Sequence, residues 1–408
     1  MFAALRHRNF RLLWLGLLIS FSGSLMQNAA LLWHVSLLVS PGRKGLALGL
    51  VGLAKIVPVV LFSMLSGVAA DVLDRRKLML LTQVTSAVIA AALAALAFAG
   101  LSVVWPLYVL AALGAAAGAF DLPARQALIP MLVPREDLPN AISLNTVMFQ
   151  VASVAGPAVG GLLIAATSVG WAYAVNALSF LVVIAALLMM RNVPPTLRGA
   201  SHAGDEVSLR AARAGLRFVF RSPMIRSTML VDFFATFFSS ATALLPIFAQ
   251  DILRVGARGY GWLYAAPAVG AVLSSSAMLR LGDRIEHRGA TFLWSVAAYG
   301  AATVAFGASR SFWLTFGCLA LIGASDSVST IIRNLIRQLE TPDEMRGRMT
   351  GVNMVFFLGG PQLGEFEAGA VANWLGAPFS VISGGLGCLI ATGILVAVTP
   401  QLARYRRG

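Results

Sequence analysis

Apolar stretches of about twenty residues recur twelve times along the chain, each closed by a short polar gap. About 20 apolar residues in a helix span the hydrocarbon core of a bilayer, where only helices and closed barrels satisfy their own backbone. The stretches fall at roughly 10–38, 46–70, 78–99, 103–121, 140–166, 170–190, 226–250, 259–281, 290–308, 312–332, 349–373 and 378–399. They predict an all-α membrane protein of twelve transmembrane helices.

The gaps are sorted by charge. Arg6, Arg8 and Arg11 precede the first span, and the even-numbered gaps and the C-terminal end carry most of the other bases, 25 of 31 in all. The odd-numbered gaps hold only Arg43, Lys44, Arg254, Arg258 and Arg310, and Lys55 lies inside an apolar run. Cytoplasmic loops carry the excess of Lys and Arg, so both termini are expected in the cytoplasm of a bacterial inner-membrane, multi-pass protein. Trp33, Trp105, Trp171, Trp262, Trp313 and Trp374 fall near the outer ends of spans on this reading, where amphipathic rings sit well.

Composition agrees. The 408 residues are 58% hydrophobic, too apolar for a soluble domain of this size. The net charge of +14 resides in loops beside spans, so anionic lipids are its expected counter-ions and nucleic acid is not. The first apolar run is too long for the h-region of a cleaved signal and reads as a retained span. Cys318 and Cys388 lie in apolar segments and suggest neither a disulfide framework nor a metal site. Phosphate loops and nucleophile–base arrangements are missing from the sequence, which argues against an enzyme and implies no cofactor.

The hydrophilic stretch Arg191–Arg226 divides the chain into 1–190, a linker at 191–224, and 225–408. Leu209, Leu216 and Phe220 opposite Arg210, Arg213 and Arg217 predict a surface helix within it, with a plain solvated connector as the alternative. The flanking halves resemble each other. Gly118-Ala-Phe-Asp121 matches Gly323-Ala-Ser-Asp326, Asn145 matches Asn353, and Asp71 with Arg75-Arg76 matches Asp283 with His287-Arg288. Such repeats predict two pseudo-symmetric six-helix bundles around a midplane substrate site.

The gap between spans 2 and 3 reads Gly67-Val-Ala-Ala-Asp71-Val-Leu-Asp74-Arg75-Arg76-Lys77. It resembles the loop signature of the major facilitator superfamily at Gly67, Ala70, Asp71, Arg75 and Arg76, and departs from it at Ala69, Val72 and Asp74. The resemblance implies that this loop locks a cytoplasmic gate; a plain positive anchor is the alternative. Span 5 carries Ala155-Gly156-Pro157-Ala-Val-Gly160-Gly161. This is similar to the Gly-Pro signature of the superfamily's proton-coupled exporters, although small residues four apart also serve close helix packing. Leu5–Trp14, Pro123–Pro130, Pro139–Asn145 and Gly360–Gly369 resemble one efflux branch, which includes enterobactin exporters and macrolide efflux pumps. The branch implies proton-driven export of a drug-like or siderophore-like molecule. Span 4 lacks the embedded Arg of other drug–proton antiporters, so coupling is expected at other groups.

Ionisable groups within apolar runs are functional candidates by default. Glu365 and Glu367 sit near the middle of span 11 and, two residues apart, point in different directions. Asp232 lies in span 7. Lys55 can pair with an acid, bind an anionic group or snorkel. Gln27 and Asn28 can bond substrate or a neighbouring helix. These six form the expected substrate and proton set. Asp121 and Asp326, at the inner ends of spans 4 and 10, join Gly67, Asp71, Arg75, Arg76, Arg125 and Asp283 as expected gate residues. The expectation is a monomeric transporter of a small amphipathic molecule, exchanged for protons among membrane lipids. A lysophospholipid flippase and a non-transporting receptor or scaffold are the alternatives.

Overall fold

The computed structural model describes residues 3–100, 102–191, 216–281, 285–342 and 345–405; some side chains within them, including those of 67, 71, 346–348, 354 and 357, lie outside the description. All regular structure among these residues is helical. Twelve long helices follow one another: α1 (Arg8–Leu38), α2 (Lys44–Val72), α3 (Arg75–Phe98), α4 (Trp105–Leu128), α5 (Leu138–Ala166), α6 (Val169–Met189), α7 (Pro223–Phe238), α8 (Gly256–Leu281), α9 (Arg288–Ala308), α10 (Phe312–Glu340), α11 (Arg346–Leu375) and α12 (Ala377–Val398). Eleven described spans are long and apolar enough to cross a membrane. The exception is α11, where Asn353, Gln362, Glu365, Glu367 and Asn373 dilute the apolar residues.

Local chemistry sets several boundaries. Asp74 caps α3 by accepting from the Lys77 backbone N–H at 3.0 Å. Gly376, at φ +90°, makes the one-residue corner between α11 and α12, a conformation that a side chain disfavours. The seventh span is not the continuous helix expected over 226–250. It stops at Phe238, then continues through a 3-10 turn (Ala241–Leu244) and a π-helical turn (Phe248–Ile252). Ser239, Ser240 and Pro246 explain the break: the serines favour turns over helix interiors, and proline supplies no N–H.

The chain forms two compact units. One comprises Met1–Val39, Ala54–Asp205 and Gly256–Ala265; the other comprises Ser40–Leu53, Glu206–Val255 and Ala266–Gly408. The units follow the sequence halves except that the first turns of α2 and of α8 each belong to the opposite one.

In the first unit α1 packs on α5 and α6, and α3 packs on α4 and α6. Phe10, Leu13, Met79, Leu128, Leu144, Met148, Val183 and Leu187 share one buried cluster there. In the second unit α9 packs on α10 and α12, and α7 packs on α11 and α12, with Val231, Phe292, Val296, Ile332 and Ile336 at the core. Leu61, Leu81, Leu178, Leu279 and Ile390 are exposed, as a lipid-facing surface requires. Of the expected surface helix at 208–220, residues 216–220 are helical and 208–215 lie outside the described residues.

Candidate functional site

The densest buried charge lies in the second unit. Asp232 on α7 and Arg333 on α10 are each 2% exposed, and the Arg333 Nη1 donates to Asp232 Oδ1. Arg337, one turn further along α10, is 3% exposed and donates to Asn353 on α11 and to Asn334. Asp326, on the same helix, interacts electrostatically with Arg333, Asp232 and Tyr299. Arg333 Nε is buried without a hydrogen-bond partner among the described residues. Asp232, Arg333 and Arg337 therefore share a buried interior, with the half-buried Asp326 beside them.

This corrects the placement of Arg333 and Arg337, which the charge pattern assigns to a cytoplasmic loop. The tenth helix runs to Glu340, eight residues beyond the expected end, and buries both. Their signal was present as spacing. Ser325, Ser329, Arg333 and Arg337 recur every four residues, and all four are buried on one stripe of α10.

The first unit holds a smaller network around Asp121. Thr82 Oγ1 at 3.0 Å and Gln83 Nε2 at 2.8 Å donate to its Oδ1. Arg125, 8% exposed, stacks 4.3 Å over the Phe21 ring and brings Nη1 within 4.0 Å of Asp121 Oδ2. Arg125 lies in the last turn of α4, which runs on to Leu128 rather than ending near residue 121 as expected.

Of the other expected ligands, Lys55 Nζ donates to Asn28 Oδ1 at 3.1 Å. Gln27 Oε1 instead accepts from Asn176 on α6 at 2.8 Å, which ties two helices. Glu365 and Glu367 are half-buried on α11. Lys44, expected in an outer loop, is buried and donates to Asp251 at 3.0 Å and to Gln250 at 2.9 Å.

The expected gate residues divide. Arg76 donates to the carbonyls of Leu187 (2.7 Å) and Leu188 (3.1 Å), closing the C-terminal end of α6 where a cation suits the helix dipole. Arg75 donates to Ala127 O on α4 at 3.2 Å. Asp283 and the side chain of Asp71 lie outside the described residues, and Gly67 is described only as part of α2. In the span 5 signature, a Cβ on Gly156 would strike Ser22 O, and one on Gly161 would lie 2.6 Å from the Gly261 Cα. Gly160 packs on Met26, and Pro157 is buried between them. These positions bring α5 into backbone contact with α1 and with the first turns of α8.

The sequence pattern of one family, described as transmembrane secretion effector, matches residues 1–404. The chain belongs to this family. Relatives include the enterobactin exporter EntS of Escherichia coli O1:K1 / APEC, 27% identical over 402 residues, which cover 98% of this chain and 94% of that one. EntS of Shigella boydii serotype 18 (strain CDC 3083-94 / BS512) is 28% identical with the same coverage. Solved structures with this fold include a bacterial homolog of the human lysosomal transporter Spinster (TM-score 0.74, 16% identity, 98% of this chain and 99% of that one). A bacterial homologue of the iron transporter ferroportin gives a TM-score of 0.71 at 18% identity, covering 98% and 99%. A POT family transporter gives 0.75 at 10% identity, covering 97% and 96%. This secretion effector thus has the major facilitator fold of twelve helices, and it is a membrane transporter of that superfamily.

Proposed function

We propose that this transporter exports an amphipathic organic compound, siderophore-like or drug-like, across the bacterial inner membrane in exchange for protons. The carrying observation is the buried group Asp232, Arg333 and Arg337, with the half-buried Asp326 interacting with it. A stable fold does not require two acids and two bases at membrane depth, because well-packed apolar residues of similar volume hold a core as well. A titrating carboxylate beside a buried base is, however, what proton coupling needs. Glu365 and Glu367 on α11 supply further carboxyls in the same unit. That relatives are enterobactin exporters supports export and a siderophore-like substrate.

On this reading 1–190 and 225–408 act as half-transporters joined by the 191–224 linker. Lys55, Asn28 and the acids on α7 and α11 serve substrate and protons, while Arg75, Arg76, Asp121 and Arg125 secure the inner ends of the first-half helices. Both termini face the cytoplasm, and the working unit is a monomer.

The test is efflux of a panel of siderophores, drugs and lysophospholipids from proteoliposomes with an imposed proton gradient. Native protein is expected to show gradient-driven transport of at least one organic compound, and Asp232→Asn, Glu365→Gln and Glu367→Gln to weaken its dependence on the gradient. Equal transport with and without the gradient in all four proteins would sink the antiport reading. Movement of lysophospholipid alone would favour a flippase, and movement of nothing a receptor or scaffold.

A further inference from the structure

At one end of the first unit, the start of α1, the end of α6 and the turn after α4 surround an open cleft of about 500 Å³. Its lining is His7, Arg8, Asn9, Leu132 and Arg191. The first residues of a chain are ordinarily loose, yet here they are fastened. Ala4 is fully buried and donates its N–H to Asn140 Oδ1 at 3.0 Å, and His7 Nε2 meets Asp137 Oδ2 at 2.7 Å. Asn9 then clasps the end of α6. Its Nδ2 donates to Arg191 O at 2.7 Å, and its Oδ1 accepts from the Arg191 N–H at 3.2 Å. The backbone that carries Arg191 is thereby fixed beside the turn that carries Arg8.

Charge in this cleft is one-sided. The described lining residues include no acid, and Asp137 is taken by His7. Neither the Arg8 nor the Arg191 guanidinium has an acid partner among the described residues. Within α1 itself the first turn holds no acid. A base at a helix start stands on the unfavourable side of the dipole, so Arg8 does not stabilise α1 by being there. A guanidinium fork does match phosphate oxygens bidentately, and forks carried on a fixed backbone lose less freedom on binding. Both arginines are exposed, so an anion reaches them without parting any helices.

We propose that this cleft binds a phosphate group, clamped between Arg8 and Arg191. A lipid headgroup is the source that the surroundings favour. Leu188 and Met189, just ahead of Arg191 on α6, are exposed and apolar, so an acyl chain lying along them brings its phosphate to the clamp. Free phosphate offers the same oxygens without that apolar contact. The site uses none of the groups assigned above to substrate or protons, and it depends neither on antiport nor on which side of the membrane this end faces.

Thermal unfolding of the full chain in a neutral detergent tests the clamp, because a ligand of the folded state raises the melting temperature. Phosphatidylglycerol and inorganic phosphate are titrated in separate arms. Phosphatidylglycerol is expected to raise the melting temperature of the native protein to a plateau. Arg8→Gln and Arg191→Gln are each expected to raise the half-saturating concentration about tenfold, as the loss of a charge-assisted hydrogen bond does. Arg8→Lys keeps the charge without the fork and is expected to fall between Arg8→Gln and the native protein. Asn9→Ala leaves every charge in place and is expected to weaken binding too, because it releases the Arg191 backbone. Arg135→Gln removes an exposed base outside the cleft lining and is expected to bind as the native protein does. A response to phosphatidylglycerol alone assigns the clamp to lipid; a response to inorganic phosphate with the same pattern of variants assigns it to free phosphate. No response to either probe overturns the proposal. So does native half-saturation in Arg8→Gln and Arg191→Gln, or an equal loss in Arg135→Gln, since diffuse charge then holds the anion.

Discussion

At Asp232 and Arg333 the balance of effects can be tested directly. Removing one member of a buried ion pair leaves an uncompensated charge and costs about 3–5 kcal/mol, whereas replacing both by apolar residues is often neutral or stabilising. Asp232→Leu is therefore expected to lower the thermal stability of the purified protein markedly. The double variant Asp232→Leu/Arg333→Met is expected to recover most of the loss, yet to show no gradient-driven efflux. A double variant that still transports would reduce the pair to a structural relic. Asp232 was legible in the sequence because an acid stands out in an apolar run. Its partner was not, because an arginine close to a span end satisfies the positive-inside pattern equally well as a loop residue. Lys44 was misplaced for the same reason. Charge sorting says which side of the membrane a base is near, and it cannot say whether the base is solvated.

Among the helices, the glycines separate those that set backbone contacts from those that do not. A Cβ on Gly156 of α5 would strike Ser22 O of α1 and sit 3.1 Å from Leu25 Cβ, whereas one on Gly114 of α4 would meet nothing within 4 Å. Overpacking a closed contact costs roughly 1–3 kcal/mol, while an unhindered Gly→Ala change in a helix gains up to about 1 kcal/mol. Gly156→Ala is expected to lower the melting temperature and Gly114→Ala to hold or raise it, as read by thermal unfolding in one detergent. Equal effects would mean that the Gly-Pro signature of span 5 does not set the packing of α5 on α1. The twelve helices themselves were legible because about twenty apolar residues admit little else in a bilayer. Their ends were less so. Polar stripes such as Ser325–Ser329–Arg333–Arg337 let α10 continue past the end of its apolar run. In the seventh span Ser239, Ser240 and Pro246 interrupt the helix while hydropathy stays high.

For the whole molecule, the proposed orientation rests on the bases that remain solvated. Arg125, Arg333 and Arg337 are buried and drop out of the cytoplasmic set, and Lys44 is buried and drops out of the outer one. The imbalance survives the subtraction: the outer gaps keep only Arg43, Arg254, Arg258 and Arg310. Retained charges in short loops are the ones that resist translocation, so burying four bases leaves the proposed sidedness unchanged. Single cysteines at exposed positions in loops or first helical turns, with Cys318 and Cys388 replaced by serine, turn this into a measurement with a membrane-impermeant maleimide. Gly42→Cys and Arg310→Cys are expected to label in intact cells, and Lys77→Cys and Arg135→Cys only after the membrane is permeabilised. The same experiment places the buried Lys44–Asp251 pair, since Gly42 lies just before Lys44. Labelling of Gly42→Cys from outside puts this pair on the face where protons arrive during the proposed export, and labelling only after permeabilisation would put it on the face where substrate is loaded.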